Sequence, residues 1–121
     1  MIDGDSLEML LDLGHYVRVT VVGRIAGIDA PERGTEAGKA VTEWARKWIT
    51  SKASVDWASH ALDKWRRSLG DLFDSEHPRL SLGQAMLAGK LCRPYGGEKR
   101  DPWTDEELAA VVERVRVLMG G

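Results

Sequence analysis

The hydrophobic period of this chain switches once, and that switch limits what it can fold into. Between residues 16 and 25 the apolar Val17, Val19 and Val21 alternate with Arg18 and Thr20, the period of a strand that turns one face to a core. From Thr35 onward Ala37, Ala40, Val41, Trp44, Ala45, Trp48 and Ile49 return at steps of three and four, the period of an amphipathic helix. Strand-forming first and helical last, the chain is expected to be α+β. Residues 7–11 precede the alternating run across a turn signal at Asp12 to Gly14, so the first third reads as a β-hairpin with one buried face.

The remaining elements follow from local signals. Thr35 is placed to cap the first long helix. Residues 53–57 and 69–73 are short strand candidates separated from their neighbours by turn signals, including one at residues 76–78. Residues 81–90 read as a short helix with Leu82, Ala85 and Met86 inward and Gly89 near its end. Thr104 followed by Glu107 forms a capping box for a last helix whose stripe is Leu108, Val111, Val112, Val115 and Leu118. There is no internal repeat, and 121 residues suit one domain spanning residues 1–121.

Composition excludes little. A formal charge of −2 gives no global basic signal, so any contact with nucleic acid must rest on local clusters. The single cysteine, Cys92, rules out an internal disulfide and reads as a small buried hydrophobe. The opening MIDGDSLEML lacks a basic stretch followed by an apolar run, and no window approaches the ~18 apolar residues of a membrane span. The expectation is a chain with no membrane partner, and a cytoplasmic one unless its amino terminus was truncated.

Three carboxylates stand at turns or strand ends: Asp5 in IDGDS, and Asp29 and Glu32 in RIAGIDAPE. An Asp in a turn either bonds its own backbone or, in company, supplies oxygen to a hard cation such as Ca²⁺, which accepts carboxylates, carbonyls and water together. Pro31 biases Ala30 toward an extended conformation that aims a carbonyl beside Asp29. Arg24 lies just before this turn, and Lys64, Arg66 and Arg67 cluster around Trp65 in DKWRR. Such a cluster is either solvated surface or a match for the charge that builds on phosphoryl oxygens in a transition state.

IDGDS, RIAGIDAPE, a helix beginning at Glu36-Ala37, and DKWRR, in that order, resemble the motifs of the staphylococcal nuclease (thermonuclease) family over residues 2–95. The resemblance implies a five-stranded OB-fold barrel carrying three α-helices and a calcium-dependent nuclease that hydrolyses phosphodiester bonds of DNA or RNA. It implies that Asp5 and Asp29 are calcium ligands with the Ala30 carbonyl, and that Glu32 orients or deprotonates the attacking water. Arg24 and Arg67 become the catalytic arginines, Lys64 and Tyr95 substrate contacts. At the second arginine the family pattern resembles Asp-Lys-Tyr-Gly-Arg, whereas this chain reads Asp63-Lys64-Trp65-Arg66-Arg67, so Arg66 stays an alternative to Arg67.

The chain also departs from that pattern. Ser6 stands for a Thr, the segment between Ser6 and Arg24 is a few residues longer, and only Met1 and Ile2 precede the Asp3-Gly4-Asp5 turn where the family has a full strand. A barrel with a truncated first strand has an open edge. That edge is expected to be covered by a second copy, a strand-donating partner, a rearranged segment or a strand upstream of Met1. Trp44 and Trp48 fall on the helical stripe and read as core, leaving Trp65 and Trp103 as candidate surface contacts. His15, His60 and His77 share no metal-like spacing and read as solvated. The alternatives to a nuclease are a non-catalytic OB-type module that binds nucleic acid, and an interaction protein completed by a partner's strand.

Overall fold

A computed structural model describes residues 4–62, 67–96 and 101–120. Two strands, β1 (Ser6–Asp12) and β2 (Arg18–Ile25), pair antiparallel with Ser6 opposite Arg24 and Asp12 opposite Arg18. At the tip, Asp12 Oδ1 accepts from the Gly14 amide at 2.9 Å, and Gly14, His15 and Tyr16 all have positive φ. This is the hairpin that the alternating pattern predicts. A short strand β3 (Ile28–Asp29) and a helix α1 (Glu36–Thr50) follow. Then come β4 (Val55–Leu62), β5 (Ser68–Asp74), β6 (His77–Ser81), the helix α2 (Leu82–Ala88), β7 (Arg93–Pro94) and the helix α3 (Asp105–Leu118).

The helix ends follow the sequence closely, because caps are local chemistry. Thr35 accepts from the Gly38 amide at the start of α1, and Ser81 accepts from Gln84 at the start of α2. Thr104 and Glu107 close a capping box at α3 by reciprocal hydrogen bonds of 2.9 and 3.1 Å. Those bonds hold the Glu107 carboxyl below the usual carboxylate range.

The main sheet runs β1-β2-β5-β4, with β6 paired to the far part of β5. β2 and β5 are parallel, with Gly23 opposite Ser68 and Ile25 opposite Gly70, and β5 pairs antiparallel with β4. β3 and β7 form a separate two-stranded ribbon. Gly70 sits where β5 is clasped on both sides, and a Cβ there would lie 2.1 Å from the Ala58 carbonyl oxygen. No helix among the described residues is long and apolar enough to cross a membrane.

The core forms one cluster where Leu7, Ile25, Ile28 and Leu72 meet Ala37, Val41 and Ala45 of α1, Leu82 and Met86 of α2, Leu91, and Val111 and Val115 of α3. Trp44 and Trp48 pack against this cluster as the stripe predicts, and so does Trp103. Trp65 lies outside the described residues.

Four expectations are corrected. The five strands do not close: β1 and β4 stand at the two ends of the order, and no pairing joins them among the described residues. The buried face expected along β2 is confined to its base, for Gly23, Arg24 and Ile25 are buried while Val17 is 49% and Val19 37% exposed. The physical reason is that the helices cover the sheet only near the hairpin's root, leaving Leu10, Leu13 and Tyr16 in solvent as well. Residues 77–81 form a strand rather than only a turn, because β5 offers them an edge that a local pattern does not reveal. Leu118 is 50% exposed and leaves the α3 stripe, which runs from Val115 to Met119, one helical turn on, instead.

Ile25→Ala is expected to lower the unfolding free energy by about 2–5 kcal/mol, as for a fully buried aliphatic side chain. Val19→Ala on the same strand should stay near ~0.5 kcal/mol, as for a surface change. Urea unfolding of the two variants checks this, and an equal cost would mean that the distal hairpin is covered in solution.

Candidate active site

Asp5 is positioned by the hairpin's root. Its carbonyl accepts from the Ile25 amide at 2.8 Å, extending the β1/β2 ladder by one step and setting Asp5 beside the end of β2. Arg24 is buried there, with Nη1 3.5 Å from Asp5 Oδ2 and Nη2 donating to the Ile28 carbonyl at 3.2 Å. Gly27, at φ 79, turns the chain so that β3 doubles back past this guanidinium. A left-handed residue at that corner favours glycine.

The turn delivers the second carboxylate. Asp29 is buried, and the next amide, that of Ala30, donates to Asp5 Oδ2 at 3.3 Å. Asp5 and Asp29 therefore converge, although 24 positions separate them in the chain. Both border a cleft of about 440 Å³ that is also lined by Ala30, Glu32, Arg33 and Trp103. Glu32 is exposed at its rim, while its carbonyl accepts from the Thr35 amide at 3.0 Å and from Thr35 Oγ1 at 2.6 Å. Gly38 lets the first turn of α1 press against the same carbonyl, for a Cβ at Gly38 would lie 1.9 Å from the Glu32 oxygen.

Of the residues singled out in the sequence, Asp5, Asp29, Ala30 and Glu32 line this cleft, and Arg24 is paired with Asp5 beside it. Tyr95 joins them from behind: its amide donates to the Gly27 carbonyl at 2.9 Å, and the Arg24 guanidinium lies 5.9 Å from its ring centroid. Arg67 is half-buried and precedes Ser68, which pairs with Gly23, so its backbone runs beside the strand that carries Arg24. Lys64 and Arg66 lie outside the described residues.

Sequence reasoning missed Arg93. In the β3/β7 ribbon Asp29 stands directly opposite Arg93, and residues so paired project on the same face. Arg93 Nη2 lies 2.7 Å from Asp29 Oδ2 and also donates to the Asp101 carbonyl at 2.6 Å. Its Nη1 is 3.8 Å from Glu107 Oε2, and its guanidinium lies 4.2 Å from the Trp103 ring centroid. A usable signal existed in Arg93-Pro94-Tyr95, an arginine two residues from a tyrosine already singled out.

The two carboxylates thus face two guanidinium groups in a poorly solvated pocket. Their field reaches the adjoining core: burial, then Asp5, Asp29 and Asp71, push the Cys92 thiol up to about 12. Among the described residues no three His, Cys, Asp or Glu side chains gather as a metal-binding group. What the site offers a cation is two buried carboxylates, Asp5 and Asp29, beside the Ala30 backbone. That all-oxygen donor set suits a hard ion that completes its shell with water.

Gly38→Ala is expected to cost about 1–3 kcal/mol, because overpacking against a backbone carbonyl forces the turn and the helix apart. The amides of residues 32–35 should shift in NMR spectra at the same time. Unchanged stability and spectra would show that α1 does not hold the Glu32 turn.

In comparisons with known proteins, no family model matches this chain and no curated protein matches it.

Proposed function

We propose that the chain is a calcium-dependent nuclease of the staphylococcal nuclease type, hydrolysing phosphodiester bonds of DNA or RNA. The observation that carries this reading is the convergence of Asp5, Asp29 and Glu32 on one cleft, with both aspartates buried and the buried Arg24 paired to Asp5 beside it. Burying charged side chains is costly unless they are paired, and here Asp5 is paired with Arg24 and Asp29 with Arg93.

Asp5, Asp29 and the Ala30 carbonyl are the residues that would hold calcium, which supplies positive charge against a phosphoryl oxygen. Glu32, exposed at the rim, is free to orient or deprotonate an attacking water. Arg24 is held by the Ile28 carbonyl and Tyr95, and a guanidinium fixed in advance stabilises charge that develops on the equatorial oxygens. Arg67 is the second such arginine in this reading, with Arg66 the alternative. Tyr95 and Lys64 contact the substrate, the tyrosine by stacking or through its hydroxyl. By family resemblance the product carries a 3′-phosphate.

Two further features support it. Arg33 lines both the cleft and a shallow depression along α1 where Lys39, Arg46 and Lys47 outnumber the one carboxylate, Glu43, which is paired with Lys47, a net positive surface suited to a phosphate backbone. The strand order also agrees with an OB-type barrel short of one strand: β2 and β5 are parallel, β4 returns along β5, and β1 and β4 are the ends that a further strand would join. In this reading a second copy or a strand-donating partner fills that position by strand addition.

One observation favours the rival reading of a non-catalytic binding module: Asp29 is already paired with Arg93 at 2.7 Å. Purified protein incubated with single-stranded and duplex DNA and RNA, with calcium and then with a chelator, separates the two. Cleavage that appears with calcium and stops with the chelator is expected; binding without cleavage in every arm contradicts the proposal. Asp29→Asn should abolish cleavage with the fold intact, and Arg24→Lys should slow it roughly 10²-fold, since an ammonium cannot supply paired donors. Cleavage at wild-type rates in either variant would remove that residue from the mechanism. Arg67→Ala should cost far more rate than Arg66→Ala, and the reverse ranking shifts the assignment by one residue.

A further inference from the structure

Asp5 and Asp29 carry two negative charges, and Arg24 and Arg93 lie against them at 3.5 and 2.7 Å. Each of the two aspartates is paired, so a divalent cation approaching Asp29 meets a guanidinium already in place. The two arginines are not equivalent. Arg24 is buried and tied to the Ile28 carbonyl, whereas the Arg93 side chain is 26% exposed and has further partners besides Asp29, along the segment that leads into α3. The Asp101 carbonyl, Glu107 Oε2 and the Trp103 ring all lie against its guanidinium. Those partners belong to the loop before α3 and to its first turn, and they can keep the guanidinium when it leaves Asp29.

We infer that Arg93 is a built-in counter-ion for the metal site, which occupies Asp29 when no cation is bound and shifts toward Asp101, Trp103 and Glu107 when calcium takes its place. The inference rests on the calcium reading above and adds to it a residue that sets the cation affinity. A cation that must displace a bonded guanidinium binds more weakly than one entering a pocket of free carboxylates, because each unit of positive charge at this range opposes the next. The coupling is reciprocal: whatever draws Arg93 toward Glu107 favours calcium, and calcium favours that arrangement of the α3 start.

Calcium titration of the full chain by calorimetry tests this with wild type, Arg93→Gln and Arg93→Lys, each checked for native circular dichroism. Arg93→Gln removes the charge and retains a hydrogen-bonding side chain, and should bind calcium roughly tenfold or more tightly. Arg93→Lys keeps the charge and should stay within about threefold of wild type. A folded Arg93→Gln that binds calcium no more tightly than wild type overturns the inference and makes Arg93 a positioning residue for Asp29. Should Arg93→Gln not fold, the wild-type chain decides. The Arg93 Nε–Hε resonance should move on calcium saturation, and one that stays in place overturns the inference. Calcium-dependent cleavage by wild type, together with an unchanged affinity in Arg93→Gln, removes this inference alone. A wild type that neither binds calcium nor cleaves removes the calcium reading and the inference with it.

Discussion

Asp5 Oδ2 is the atom on which the candidate site turns. It accepts the Ala30 amide at 3.3 Å and lies 3.5 Å from Arg24 Nη1, so a single carboxylate ties the start of β1, the end of β2 and the turn after β3. Burying a carboxylate is costly unless it is paired, and here a guanidinium and an amide lie against it. Losing it would leave Arg24 buried without that partner, and the removal of one member of such a pair typically costs about 3–5 kcal/mol. The fold and the site therefore share this interaction.

The rest of the architecture serves to bring distant segments to that point. The β1/β2 register sets Ser6 opposite Arg24, the parallel β2/β5 pair sets Ser68 opposite Gly23, and β7 sets Arg93 opposite Asp29. Helix α1 presses on the Glu32 carbonyl through the space left by Gly38, and the α3 capping box keeps Glu107 facing Arg93. Charges from five separate stretches of chain meet beside one cleft. The distal hairpin contributes nothing to this assembly, which fits its exposed Val17, Val19 and Tyr16.

How much of this was legible in the sequence depended on range. Thr35, Ser81 and the Thr104/Glu107 box act within a single helical turn, and all three helices begin within a residue of the positions that their caps mark. The Asp29-Ala30-Pro31-Glu32 turn was equally visible, since its geometry is set by Pro31 and its neighbours. Arg93 was not, because its partner lies 64 positions away and only strand pairing reveals it. For the same reason the pairing of β6 with β5 escaped the local pattern, whereas the open edge followed from the short stretch before Asp3. The exposed distal half of β2 shows a limit of periodicity itself: alternation marks two faces of a strand, and only the packed structure decides whether anything covers either of them.

In the function we propose, Asp5 and Asp29 form one cation pocket with the Ala30 backbone. Calcium titration of the wild-type chain followed by backbone amide shifts tests it most directly. Saturable shifts centred on Asp5, Asp29 and Ala30 are expected, spreading to Arg93 with little change at the hairpin tip. Shifts that fail to saturate, or that centre on exposed acids such as Glu43 or Glu113, would contradict it.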